Sequence, residues 1–316
     1  MAIGGYNQLP LNSLDTQLGA DAYQFQSARA ALYAYLSATK IKTLYVPNYI
    51  CDSIFPALKS LAVEIKFYSV NERLLPIDCS KLTKKSDSRV LLVNYFGLLN
   101  EQIKMLTAVE PELFIVDNSQ ALFCEHIEGT TSIYSPRKFL GIPDGGLLRT
   151  TEKINIPEHR YDASDNVGHL LLRAAGEVQA GYERFLAAEQ ALECFIPKKI
   201  SVISAHLIKC ADINVIKEKR RRNYKILYHK FKLLNQLQFP INGHVPLCYP
   251  LKLGGSVTSI CRELIKSAIY LPRYWRSDFN GEVGRAMYEN TLFLPIDERI
   301  SSDELMNLVK LIKNKL

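Results

Sequence analysis

Apolar and polar positions follow a repeating order from residue 43 onward. Short β-rich runs at 43–46, 63–68, 90–94 and 113–116 are separated by helical patterns at 53–61 and around 101–109. Strands spaced by helices predict βαβ units and a largely parallel sheet. Two further short strands are expected at 131–134 and 146–148, and they bracket Ser135-Pro136-Arg137-Lys138 and a loop rich in Gly and Pro. After residue 150 the pattern changes to a polar stretch through Asp165, then to long helical patterns over 167–195 and 201–237. Pro197 separates these two, because proline restricts its predecessor and rarely sits inside a helix. β-like runs at 245–251 and 291–294 precede an amphipathic helix from Ser302, whose Leu305, Leu308, Val309 and Ile312 share one face. The chain reads as an α/β protein, with a large domain over residues 1–200 and a smaller α+β domain over 201–316.

Composition narrows the class. With 316 residues, 47% hydrophobic and 22% charged, the chain is long enough for about two domains and has the balance of a globular protein. No apolar run approaches the ~18 residues of a membrane helix, and the stretch Met1–Pro10 lacks a basic start and an apolar core, so a cytoplasmic protein is expected. The seven cysteines (Cys51, Cys79, Cys124, Cys194, Cys210, Cys248, Cys261) form no CxxC pair, which indicates buried thiols rather than a disulfide framework or a zinc site. The six histidines show no metal-ligand spacing, and no metal is expected. The net charge of +7 owes much to Lys217–Lys225, which includes the run Lys217-Glu218-Lys219-Arg220-Arg221-Arg222, and to the lysine-rich C-terminus. Such a run would attract phosphates, but it is read here as a solvated helix face, with no nucleic acid as partner.

In a parallel sheet, ligands bind beyond the carboxyl ends of the strands. Those ends carry Pro47-Asn48-Tyr49, Asn94-Tyr95-Phe96-Gly97 and Asp117-Asn118-Ser119-Gln120. Three features would together anchor a cofactor that forms a Schiff base with a lysine. The first is Ser27-Ala28-Arg29 at the start of a helical stretch, where free N–H groups and the helix dipole favour an anion. The second is Asp117, a carboxylate that would keep a ring nitrogen protonated. The third is Ser135-x-x-Lys138, followed by Gly141-Ile142-Pro143-Asp144-Gly145-Gly146. Taken singly, Ser27 reads as a helix cap, Asp117 as a turn residue, and the SxxK spacing also occurs in serine hydrolases. The Ser-Asp-Asn and Lys-Thr-Gly companions of those hydrolases are missing.

In order and spacing, 114–123 and 132–146 resemble the sugar aminotransferase family (DegT/StrS-like) of fold type I pyridoxal phosphate enzymes. The resemblance extends to Ser27-Ala-Arg-Ala-Ala-Leu, Val46-Pro-Asn-Tyr, Asn94-Tyr-Phe-Gly, Arg221-Arg-Asn-Tyr and Leu294-Pro-Ile-Asp. It implies an aspartate aminotransferase-like fold with pyridoxal 5'-phosphate (PLP) as cofactor. It further implies that Lys138 carries the cofactor and shuttles protons, that Asp117 pairs with the pyridinium nitrogen, and that Gln120 lies near the ring hydroxyl. Ser27, Ala28, Arg29 and Ser135 would hold the phosphate. An aromatic or similar side chain is expected over the ring shortly after Pro47, either Tyr49 or Cys51, and Tyr49 is chosen because a flat ring stacks better.

The implied activity is transfer of an amino group from a small-molecule donor to a nucleotide-linked keto sugar for surface polysaccharide. A homodimer is also implied. Tyr95, Arg137, Arg173 and Tyr182 are the substrate-binding candidates, arginine being suited to carboxylate or diphosphate. The chain departs from the family at Ala28, where glycine is usual, and over 151–166, where the loop that in many members reaches a partner's phosphate has no counterpart. Those departures motivate an alternative, a degenerate member that binds PLP or a sugar nucleotide without turnover. Another PLP-dependent reaction on the same fold is the remaining alternative. A sugar dehydratase generally carries histidine in place of the lysine, so Lys138 argues against it.

Overall fold

The structure, a computed structural model, describes residues 7–78, 82, 86–240, 243–276 and 278–316. Cys79 and the first six residues of Met1–Pro10 lie outside the described residues. The first part of the chain runs β1 (Tyr23–Phe25), α1 (Ala28–Ala38), β2 (Thr43–Pro47), α2 (Phe55–Ser60), β3 (Glu64–Tyr68), β4 (Ser88–Val93), α3 (Asn100–Leu106), β5 (Phe114–Asn118), β6 (Thr131–Tyr134) and β7 (Gly146–Arg149). These strands form one seven-stranded sheet in the order β1-β7-β6-β5-β4-β2-β3. Strands β2 to β6 pair in parallel, and β7 runs antiparallel to both β6 and β1. β1 escapes the sequence pattern because three residues are too few to display an alternation.

The parallel strands are apolar on both faces: Val90, Leu91, Leu92 and Val93 of β4 are all buried, as are Ile115 and Val116 of β5. This is the composition of a sheet covered on both sides. α1 packs on it through Ala30, Ala31, Leu32, Ala34, Tyr35 and Leu36. The alanines allow the helix axis to lie close to the sheet, which matters below because the start of α1 forms one end of the site.

The second part runs α4 (Gly168–Ala174), α5 (Val178–Ala191), α6 (Val202–Lys209), α7 (Ile213–Phe231), β8 (Cys248–Lys252), α8 (Thr258–Lys266), α9 (Glu282–Asn290), β9 (Thr291–Pro295) and α10 (Ser302–Lys313), with β8 and β9 antiparallel. Each of the two long helices expected from the pattern is split. The 167–195 segment breaks where Gly176 takes φ +88°, a left-handed turn that glycine adopts at no steric cost. The 201–237 segment breaks before Asp212, whose carboxylate accepts the Val215 N–H and starts α7 afresh. α10 forms as expected: Leu305, Leu308, Val309 and Ile312 are buried, and Ser301 and Glu304 close a capping box at its start. Among the described residues no helix is long and apolar enough to cross a membrane.

Candidate active site

Strands β2, β4, β5 and β6 deliver their carboxyl ends to one edge of the sheet, but only some of the residues there face open space. At the end of β4, Asn94 is consumed by the fold: its Nδ2 donates to Asn118 Oδ1 (2.9 Å) and its Oδ1 accepts the Leu99 N–H (3.1 Å). At the end of β5 the chemistry is different. Asp117 and Gln120 line a cavity of 230 Å³ together with Ser27, Ala28, Arg29, Ser135 and Lys138. The Ser119 N–H donates to Asp117 Oδ1 (2.8 Å) and fixes the carboxylate. The Phe96 N–H donates to Gln120 Oε1 (3.1 Å), whereas Gln120 Nε2 is buried without a partner. A buried amide left unpaired is costly in an apolar surround, so the group is suited to an acceptor on a bound molecule.

Lys138 ends a short turn, Pro136–Lys138, that directly follows β6. Its side chain is exposed and lines the cavity. Desolvation is the largest influence and lowers the ammonium pKa; Asp117 and Cys51 oppose it, and Arg137 adds to it. A lysine held toward its neutral form is the form that attacks a carbonyl and accepts a proton.

The opposite end of the cavity is built by the start of α1. Ser27 caps the helix by accepting the Ala30 N–H (3.1 Å), and the N–H groups of Ala28 and Arg29, in the first turn, have no partner within the helix. Ala28 is helical and not in the left-handed region, so a glycine is not required there. The Arg29 guanidinium donates through Nη1 to the carbonyls of Leu192 (3.4 Å) and Glu193 (3.0 Å), while its buried Nε has no partner.

The Gly-rich loop holds this end in place. A Cβ on Gly146 would lie 2.1 Å from Ser27 C and 2.4 Å from Ala28 N, so only glycine permits this contact between β7 and the helix start. Asp144, completely buried, accepts from Ser201 N (2.8 Å), Ser201 Oγ (2.5 Å) and the Ser204 hydroxyl. Burial pushes its carboxyl up against the pull of these bonds, and the start of α6 is thereby clasped to the loop after Lys138.

Two expected residues stand elsewhere. Tyr49 does not line the cavity: it is buried in the core, stacked on Tyr95 at 5.3 Å, and donates to the Tyr274 carbonyl (2.7 Å). Tyr95 is likewise buried, donating its hydroxyl to the Tyr49 carbonyl, and lines neither this cavity nor the larger one described below. Burial raises both phenols well above their usual value. Of the two residues weighed for the ring it is Cys51, next to Ile50 and beyond the end of β2, that lines the cavity. Trp275 and Glu189, which no motif marks, line it too.

Arg137 and Lys138 also line a second, larger cavity of 760 Å³, so the two spaces meet at the lysine. Arg173 and Tyr182 are on its wall, with His169, Phe185 and Tyr270. Arg137 pairs with Glu189 of α5, and its buried Nε has no partner. The basic run of α7 is not wholly a solvated face. Arg220 is buried, 3.5 Å from Glu298 and 4.8 Å from the Phe139 ring, and donates to the Leu247 carbonyl (3.2 Å). The segment 151–166 folds back on its own chain, with Lys199 N–H donating to the His159 carbonyl and Tyr161 N–H to the Lys199 carbonyl (both 2.9 Å).

No protein-family model and no curated protein matches the sequence. Solved structures do match over almost the whole chain. The aminotransferase TlmJ from Streptoalloteichus hindustanus and a DegT DnrJ EryC1 StrS aminotransferase from Brucella abortus each superpose with a TM-score of 0.64 at 16% identity, covering 93% of this chain and 85% of theirs. An E. coli GDP-4-keto-6-deoxy-D-mannose-3-dehydratase with bound hydrated PLP superposes with a TM-score of 0.61 at 15% identity, covering 92% of this chain and 87% of its own. The chain has the fold of these enzymes, the fold type I arrangement of a mostly parallel seven-stranded sheet flanked by helices.

Proposed function

We propose that this protein is a PLP-dependent aminotransferase that passes an amino group from a small-molecule donor to a keto sugar, nucleotide-linked and destined for a surface polysaccharide. The observation that carries the reading is the convergence of Lys138, Asp117, Gln120, Ser135 and the start of α1 on one 230 Å³ cavity. Their chemistry suits each end of PLP: helix-start N–H groups and hydroxyls for the phosphate, a carboxylate for the ring nitrogen, the unpartnered Gln120 amide for the ring hydroxyl, and an amine favoured in its neutral form for the aldehyde. When bound, PLP supplies an electron-accepting ring conjugated to the reacting carbon.

The chain's own groups do the rest. Asp117, fixed by Ser119, would hold a proton on the ring nitrogen. Lys138 Nζ, favoured in its neutral form, would take the proton from the donor α-carbon and then give it up again, a general base and then a general acid. The larger cavity on the far side of the lysine offers Arg173 for an anionic group of the substrate and Tyr182 for an apolar or ring face. We further propose residues 1–200 as the cofactor-binding part, a cytoplasmic homodimer as the working form, and the α4–α5 hairpin, with Leu171 and Leu186 exposed, as a face a second copy would cover.

The retained Lys138 favours this over a dehydratase, and the helical Ala28 removes one of the two motives for a protein that binds without turnover. The test is a half-reaction. PLP-loaded protein mixed with glutamate should lose its visible absorbance and release one equivalent of 2-oxoglutarate, and recovery with a keto acid should follow. Stable absorbance with no keto acid, across a panel of amino donors, would leave a binder and not a transaminase.

A further inference from the structure

We infer that Trp275, contributed by the C-terminal part of the chain, is the aromatic wall against which the PLP ring packs; this rests on the cofactor reading above. The wall of the smaller cavity contains one aromatic side chain among the described residues, and it is Trp275. The other lining groups from the end of β2 are Ile50, Cys51, Ser53 and Ile54, none of which presents a flat π-face. A pyridine ring between a carboxylate and a lysine gains most from a parallel or offset aromatic neighbour.

The indole is held for that task. It packs at 5.2 Å on Tyr49, 6.3 Å on Tyr95 and 5.5 Å on Tyr274, ring centroid to centroid, and the first two of these rings are fully buried at the ends of β2 and β4. Asn280 Nδ2 donates to the Trp275 carbonyl (2.7 Å), and the Tyr49 hydroxyl ties the preceding carbonyl, that of Tyr274. Tyr49 therefore acts on the site through Trp275: it is the rigid floor behind the indole. The segment between α8 and α9, distant in sequence from every other cavity residue, is thus tied to the cofactor pocket.

The chain has one tryptophan, so its fluorescence reports this position alone. In the wild-type protein, acrylamide quenching of that emission should fall at least twofold when PLP is bound, because the ring covers the indole's cavity face. Trp275→Ala should weaken PLP about two- to twelvefold, the span of an aromatic pair, and shift the absorption maximum of the bound cofactor; Trp275→Phe should recover most of both. The spectral shift separates contact from a merely structural role, and the quenching measurement stands even if the alanine variant fails to fold. If PLP is retained covalently while quenching is unchanged and both variants bind with wild-type affinity and spectrum, the inference is overturned and the cofactor reading survives. If PLP is not retained at all by the wild type, both fall together.

Discussion

Gly146→Ala tests whether the phosphate end of the site depends on close backbone contact. The new Cβ would sit 2.1 Å from Ser27 C, 2.2 Å from Ser27 O and 2.4 Å from Ala28 N, where ordinary contacts begin near 3.4 Å. All three atoms are backbone, so no side chain can swing aside, and the helix start must retreat by about 1 Å or more. Overpacking of this kind costs about 1–3 kcal/mol in stability, which would lower the melting temperature of the apoprotein by several degrees. The same retreat draws the N–H groups of Ala28 and Arg29 off the phosphate. Losing one charge-assisted hydrogen bond, about 1.5–3 kcal/mol, weakens PLP by about ten- to a hundredfold. Gly141→Ala is the control: nothing lies within 4 Å of its Cβ and its φ is not left-handed, so it should change neither quantity. The assay is a PLP titration followed by absorbance, with thermal unfolding of the apoprotein. A Gly146→Ala variant that binds within twofold of wild type and melts at the same temperature would refute the reasoning.

Two further predictions follow from the same geometry. The lowered pKa of Lys138 means that, between its folded value and the usual 10.5, the unfolded chain carries a proton the folded chain has shed. Apoprotein stability contributed by this group therefore rises with pH across that window, and Lys138→Met should flatten the rise in melts taken as the pH approaches 10.5 from below; an unchanged slope would contradict it. Tyr49→Phe removes the bond to the Tyr274 carbonyl and should cost about 1–2 kcal/mol, while shifting PLP affinity by less than about threefold, because the ring itself remains behind Trp275. A loss of PLP affinity beyond tenfold with normal stability would place Tyr49 at the ring after all.

The parallel sheet was legible because its buried strands are runs such as Val90 to Val93, and the α10 stripe because its capping box and apolar spacing agree. The Asp117, Gln120, Ser135 and Lys138 group was legible for a related reason: all four lie at or just after strand ends, where the fold dictates direction. Tyr49 was preferred to Cys51 because a flat ring stacks better, but stacking preference does not place a side chain: the phenol packs in the core and Cys51 lines the cavity. Trp275 left no signal at all. It sits in an irregular segment with neither period nor motif, and only tertiary packing on Tyr49 and Tyr95 brings it to the cavity. The splits at Gly176 and Asp212 show the other limit: helical periodicity survives across a short break, so only the glycine and the cap mark it.

The most direct test of the account is the site of covalent attachment. Protein loaded with PLP, reduced with borohydride and digested should yield one pyridoxyl-modified peptide, bearing its label on Lys138, and Lys138→Ala should yield none while remaining folded. Label distributed over surface lysines, or retained undiminished in the variant, would contradict the assignment of Lys138 and with it the proposed chemistry.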